Sequence, residues 1–224
     1  MFVEREYNVC TERRLQLQIK RMPLGPLETN GYIVYNDDQA IIIDPGGDAE
    51  KVIAFLTEEG INPQAILLTH GHFDHIGGVD KLRKYFGIRV YIHEYEAHWL
   101  SDPQLNGSKF FLSEEIAINA ADFLLEPGFE KIGPFHFEVV HTPGHSPGSV
   151  SFIFHEQSFI ISGDVLFNRG IGRTDLPGGD METLKQSIRN HLYTLSDSFI
   201  VYPGHGPETT IGAEKTFNPF VKQS

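Results

Sequence analysis

The chain is poor in three things, and each shortage removes a class of protein. It has one cysteine in 224 residues, Cys10, so no internal disulfide can form and a disulfide-framed secreted fold is excluded. Cys10 lies in a polar N-terminal segment with no site built around it, and it reads as incidental. No apolar run approaches the roughly 18 residues of a membrane helix, so no membrane partner is expected. Positive charge is scarce: 18 Lys and Arg stand against 30 Asp and Glu, a formal charge of -12. A field of that sign argues against broad nucleic-acid binding. The opening, Met1 to Glu6, lacks the basic segment and apolar core of a secretory signal, which makes a cytoplasmic protein the expectation.

Hydrophobic residues make up 40 % of the chain, enough for a packed globular core. The Pro/Gly-rich turns are too short to act as linkers, so a single domain over residues 1–224 is expected. The first fifteen residues show no period and read as a short strand, an arm or a tail. Gly31–Tyr35 and Gln39–Ile43, joined by Asn36-Asp37-Asp38, read as a hairpin ending in Asp44-Pro45-Gly46-Gly47. Val52, Ile53 and Leu56 share a helical face between Ala49 and Glu59, with Gly60 as the stop. Ala65–Thr69 is short and branched, as a buried strand is. Helices are expected at Val79–Phe86, Glu94–Leu100 and Met181–Leu192, and strands at Arg89–Ile92, Phe135–Val140, Ser149–His155, Phe159–Ser162 and Phe199–Tyr202. Leu105–Ala117 shows no clear period and could form a lid over the site. Strand pairs interrupted by helices fit an α+β architecture: two mixed sheets packed together with helices on the outer faces.

What the chain has in quantity is histidine, and it is concentrated. His70-Gly71-His72-Phe73-Asp74-His75 places four potential metal ligands in six residues, directly after the strand Ala65–Thr69. Three more ligands, His145, Asp164 and His205, sit in glycine-bearing turns downstream. Imidazole nitrogen and carboxylate oxygen are both good zinc ligands. His70 and His72 can converge on one ion with His145, while Asp74 and His75 face a second with His205. Asp164 can put one oxygen on each ion, holding them about 3.5 to 4 Å apart. A hydroxide shared by two such ions is a strong nucleophile near neutral pH, and no serine or cysteine is then required. Asp74 could orient that hydroxide or take its proton; a second water could instead supply the leaving-group proton.

Each residue also has a plainer reading. Asp74 could cap the helix that follows, His145 could buttress its loop, Asp164 could close an Asx-turn, and His205 could be incidental. His141, between a strand and Thr142-Pro143, fits loop support better than metal binding. His93, His98, His136, His155 and His191 fit helix or strand positions. Asp44 suits a hydrogen bond to the metal loop rather than ligation. Arg173 could anchor a substrate carboxylate, or simply pair with Asp175. Phe110 and Phe111 could line a lid or pack in a core.

The 70–75 motif with His145, Asp164 and His205 resembles the metallo-beta-lactamase fold superfamily. Leu24–Asn30 and Asp44–Gly47 resemble its early hairpin and turn. Gly163–Asp180 and Tyr202–Thr209 are similar to the small bacterial glyoxalase II-like hydrolases, and the likeness runs from about Ile19 to Phe220. The resemblance implies an αβ/βα four-layer sandwich with a binuclear site at one sheet edge. It implies His70, His72 and His145 at the first metal, Asp74, His75 and His205 at the second, and Asp164 between them. It further implies hydrolysis of a small-molecule thioester such as S-lactoylglutathione, with zinc as the usual metal and iron or manganese as alternatives. Only about twenty residues follow Pro203, so a counterpart of the helical region that holds glutathione in larger members is not expected. The alternative reading is an iron-dependent persulfide dioxygenase built on His70, His145 and Asp164. A non-catalytic metal-binding module is the third.

Overall fold

A strand that is apolar on both faces must be covered on both faces. The strands here meet that condition, and the computed structural model shows how; it describes residues 16–222, and the readings of the first fifteen residues and of Cys10 fall outside that range. The chain runs β1 (Gln18–Leu24), β2 (Thr29–Tyr35), β3 (Gln39–Ile43), α1 (Ala49–Glu58), β4 (Asn62–Leu67), α2 (Phe73–Ile76), α3 (Val79–Phe86) and β5 (Arg89–His93). A 3-10 helix, Glu94–Ser101, precedes α4 (Ser108–Phe111) and β6 (Phe123–Leu125). Then come β7 (Gly128–Ile132), β8 (Phe135–His141), β9 (Val150–Phe154), β10 (Phe159–Gly163), and a small hairpin of β11 (Leu166–Phe167) and β12 (Gly170–Ile171). The chain closes with α5 (Met181–Ser187), β13 (Ile200–Pro203), β14 (Thr209–Thr210) and α6 (Ile211–Phe217).

Two six-stranded mixed sheets result. The first has the order β1-β2-β3-β4-β5-β6, antiparallel as far as β3 and parallel from there on. The second has the order β14-β13-β10-β9-β8-β7, with β10 and β13 its parallel pair.

Strand alternation divides the buried side chains among three cores. On β3, Ala40 and Ile42 face one way, with Val52 and Leu56 of α1 and Leu82 of α3. Ile41 and Ile43 face the other way, toward Phe137, Phe152 and Phe154 of the second sheet. Behind the second sheet, Ile160 and Val201 pack on Leu184, Ile188 and Ile211. Three cores between layers make a four-layer αβ/βα sandwich. None of the helices described is long and apolar enough to cross a membrane.

Two helical expectations change in detail. Glu94–Ser101 is a 3-10 rather than an α-helix. The helix from Met181 is α only to Ser187, then widens into a π turn over Ile188–Leu192, where the Tyr193 N–H donates to the Ile188 carbonyl at 2.8 Å. The Leu105–Ala117 stretch holds one short helix, α4, and otherwise irregular chain.

Candidate metal centre

Four strand ends, those of β4, β8, β10 and β13, deliver the candidate ligands to one edge of the sandwich. The chain leaves β4 through Thr69, whose carbonyl accepts from the Val150 N–H of β9 at 2.8 Å and so ties the two sheets together there. His70 and His72 follow, then α2 carries Asp74 and His75, all four buried. The parallel register of β10 and β13 pairs Gly163 with Pro203 and sets Asp164 beside the Gly204-His205 turn. Gly204 is needed there: a Cβ would lie 2.1 Å from Asp164 Oδ1. Asn30 holds the same turn from the first sheet, its backbone N–H donating to Gly204 O and its amide to Pro203 O and Gly206 O.

The residues form two clusters. In the first, His72 Nδ1 and His145 Nε2 are 2.9 Å apart, and His70 Nε2 lies 3.3 Å from His145 Nε2. In the second, Asp74 Oδ2 is 3.1 Å from His205 Nε2 and 3.6 Å from His75 Nε2. Asp164 stands between them. Its Oδ1 is 3.4 Å from His75 Nε2, and its Oδ2 is 3.7 Å from His145 Nε2 and 3.6 Å from His205 Nε2.

Contacts on the outer side of three imidazoles set which nitrogen faces inward. His145 Nδ1 lies 2.8 Å from the Arg173 carbonyl, which can only accept, so this nitrogen carries the hydrogen. The Thr69 hydroxyl donates to Asp44 Oδ2 at 2.6 Å and therefore accepts from His70 Nδ1 at 3.0 Å. His75 Nδ1 donates to Asp44 Oδ2 at 3.0 Å. In the neutral ring, the Nε2 lone pairs of all three then point into the site, where His75 Nε2 and Asp164 Oδ1 are buried without a hydrogen-bond partner. Converging lone pairs and carboxylates require a cation. A tetrahedral ion bound at about 2.0–2.1 Å holds its nitrogen ligands roughly 3.3 Å apart, close to the spacing found here. The donor set fits two metal ions.

The proton equilibria reflect the same demand. Burial, then His75 and the other imidazoles, push His70 well below the usual histidine range, and burial with His145 brings His72 down to about 3. Burial also opposes charge on His75, but Asp74, Asp164 and Asp44 outweigh it and raise that ring well above its ordinary value. His205 is raised against burial by Asp74 and Asp164. Burial would raise Asp74, yet His75, His205 and Thr29 hold it well below the carboxylate range; Asp164 is lowered likewise, chiefly by His75. Without metal, protons on His75 and His205 stand where a cation belongs.

Three supports lay outside the sequence reading or at its edge. Glu96, fully buried on the 3-10 helix, accepts from Gly71 N at 2.5 Å and Gly148 N at 2.6 Å, joining the His70–His72 loop to the His145 loop. Thr29 donates to Asp74 Oδ2 at 2.7 Å. Asp44 accepts from Thr69 N at 2.8 Å as well as from the Thr69 hydroxyl and His75, the supporting role expected of it. His141 supports its loop, with Nε2 2.8 Å from Pro147 O and its ring stacked on His93 at 4.5 Å.

A cavity of about 380 Å³ opens over both clusters, lined by His72, Asp74, His145, Asp164 and His205 on one side and by apolar side chains on the other. Phe111 is part of that wall, stacked on Phe73 at 5.9 Å and still half exposed; Phe110 is exposed and does not line the cavity. Arg173 also lines the cavity, and its guanidinium is paired with Asp175 through two hydrogen bonds of 2.7 Å. A larger cleft of about 710 Å³ lies between β8, β9 and α5, away from the clustered ligands.

Comparison with known proteins agrees with this geometry. The sequence profile of the Metallo-beta-lactamase superfamily matches residues 24–205. The chain is 50 % identical over 203 residues to the probable metallo-hydrolase YqgX of Bacillus subtilis, covering 90 % of this chain and 96 % of that one. It is 40 % identical over 208 residues to the hydroxyacylglutathione hydrolase GloC of Haemophilus influenzae, covering 92 % and 98 %. Among solved structures, the BLEG-1 B3 metallo-beta-lactamase aligns with a TM-score of 0.89 at 53 % identity, covering 91 % of this chain and 99 % of that one. TTHA1623 in a di-iron-bound form aligns with a TM-score of 0.82 at 39 % identity, covering 90 % and 100 %.

Proposed function

The chain belongs to the metallo-beta-lactamase superfamily as a metallohydrolase of the glyoxalase II type, and from that premise we propose that it hydrolyses a small acyl thioester. The observation that carries this reading is Asp164, whose two oxygens face the two ligand clusters. In this reading His70, His72 and His145 hold one metal, Asp74, His75 and His205 hold the other, and Asp164 bridges. Zinc suits the donor set best; iron and manganese also accept imidazole and carboxylate ligands, and the di-iron neighbour shows that one such relative takes iron. Bound as a pair, the ions would lower the pKa of a water and polarise the thioester carbonyl.

The chain's own residues account for the rest. Thr29 donates to Asp74 Oδ2 at 2.7 Å, so the carboxylate is held at one orientation beside the reacting centre. Asp74 is a weak base there, and its proposed part is to orient the water and pass its proton on. Phe73, Phe111 and Phe167 give the cavity beside the bond being cut an apolar lining. Asp74 and Asp164 are both held in the ionised form, so neither offers a proton to the departing group. A thiol, with an ordinary pKa near 8.5, departs as thiolate without that help. An amine leaving group needs the proton, which favours thioester over amide or lactam cleavage.

Two other reactions compete with this one, and only the first has an observation in its favour. Similarity to the BLEG-1 lactamase favours lactam hydrolysis. An iron-dependent persulfide dioxygenase would use His70, His145 and Asp164 and leave the second cluster of Asp74, His75 and His205 without a task. Thiol release from a lactoyl thioester, run beside a lactam and a persulfide with oxygen uptake recorded, separates the three. Thiol release from the thioester with little turnover of the others is the expected result. Lactam opening or oxygen consumption in its place overturns the reading.

A further inference from the structure

The cavity over the clusters has an uneven lining. Away from the histidines its wall is mostly apolar, with Leu27, Phe73, Phe111, Phe167 and Leu176 beside the buried Asn106, and among the described residues that line it Arg173 is the one Lys or Arg. That guanidinium is already matched. Its Nε and Nη2 donate at 2.7 Å to the two oxygens of Asp175, a fork-to-fork pair, and its face lies 5.7 Å from the Phe111 ring. On flanking segments, Arg21 donates to the Gly206 carbonyl and Arg169 lies over Phe217.

We propose that the site selects thioesters of small uncharged thiols over those of acidic peptide thiols, and that Asp175 enforces the choice by occupying Arg173. The inference rests on the thioester reading above and deepens it. A peptide thiol such as glutathione carries two carboxylates and an ammonium group. Its carboxylates would meet apolar wall and, at the one cation of that wall, an Asp175 already seated in the position a substrate carboxylate needs. A carboxylate left unpaired against such a surface binds poorly. A small neutral thiol meets no such obstacle. The ion pair is partly exposed, with 52 % and 68 % of the Arg173 and Asp175 side chains accessible, so solvent weakens its hold. Asp175 therefore contributes a few-fold selectivity, and the apolar lining contributes the rest.

Lactoyl thioesters of N-acetylcysteamine and of glutathione share an acyl group and differ in the charge of the thiol. Their kcat/KM values, read by thiol release from metal-loaded wild type and Asp175→Asn, test the inference. Wild type should favour the N-acetylcysteamine ester by at least about tenfold. Asp175→Asn should raise kcat/KM for the glutathione ester about two- to fivefold, through KM more than kcat, and so narrow the ratio. The gain should vanish in Arg173→Ala/Asp175→Asn, because the freed guanidinium is its source. Preference for the glutathione ester in wild type, a ratio unmoved by Asp175→Asn, or a gain that persists without Arg173 overturns the inference and leaves the thioester reading standing. Cleavage of neither ester removes the thioester reading, and the inference with it.

Discussion

Asp44 fixes two of the clustered imidazoles, through Thr69 to His70 and directly to His75. The opposite pKa shifts within the site make the metal-free protein pH-sensitive in two directions. His72, held near 3 by burial and His145, stays neutral in the folded state where an unfolded histidine would titrate near about 6.5. Between those values the unfolded chain binds more protons, so stability falls as pH drops through that window. His75 and His205 are raised, so their contribution is complete below the unfolded value and is lost as pH rises through their folded values. Metal-free protein should be most stable to urea near about pH 6.5 and weaker on both sides. A steady rise in stability from pH 5 to about 9 would contradict the His75 and His205 part; no loss between about 6.5 and 4 would contradict the His72 part. At Asp164, replacement of one oxygen by an amide should cost metal pairing and turnover together. Asp164→Asn is expected to hold fewer metal equivalents by elemental analysis and to lose about 100-fold or more in kcat/KM; full metal content with unchanged activity would remove the bridging role.

At the scale of elements, each ligand loop is pinned by a different neighbour. Asp180 caps α5 and its N–H donates to Gly144 O, while Ser187 of α5 donates to Pro143 O, so that helix holds the His145 loop from behind. The 3-10 helix holds the same loop from the front, through Glu96. Glu96→Gln puts an amide NH₂ where one of two backbone N–H groups needs an acceptor, inside the protein. It should lower stability by about 2–3 kcal/mol in urea unfolding and weaken metal retention; wild-type stability would show that the two loops do not depend on it. Nothing in Glu94-Tyr-Glu-Ala-His-Trp-Leu100 marks Glu96 as buried, because the pattern reads as an ordinary amphipathic helix. β7 escaped the sequence reading for a related reason. As an edge strand with Phe129 80 % exposed and charges at Glu130 and Lys131, it has no apolar alternation to reveal it. α6 is one short stretch containing Gly212, capped by Thr210, and too brief for a period to emerge. The central strands were legible because both of their faces are buried.

At the scale of the molecule, two sheets meeting face to face bring turns 135 residues apart, from His70 to His205, into one pocket. Four candidate ligands could be read from one local motif, and His145, Asp164 and His205 from glycine turns at strand ends, since ligand chemistry and tight turns both leave marks in sequence. For Arg173 the sequence left a choice between a substrate carboxylate and Asp175, because two residues apart in a loop fixes no side-chain direction; the fold pairs it with Asp175. Likewise the closure of the second cluster depends on the β10–β13 register, which only the folded sheet sets. That second cluster is the core of the account, since it separates a paired-metal thioester hydrolase from a one-iron oxygenase. Anaerobic purification, metal quantification and paired thioester and persulfide assays on the same sample test it most directly. The account predicts two metal equivalents per chain, thiol release from the thioester and loss of both on chelation. One iron per chain, with persulfide-dependent oxygen uptake and an intact thioester, would contradict it.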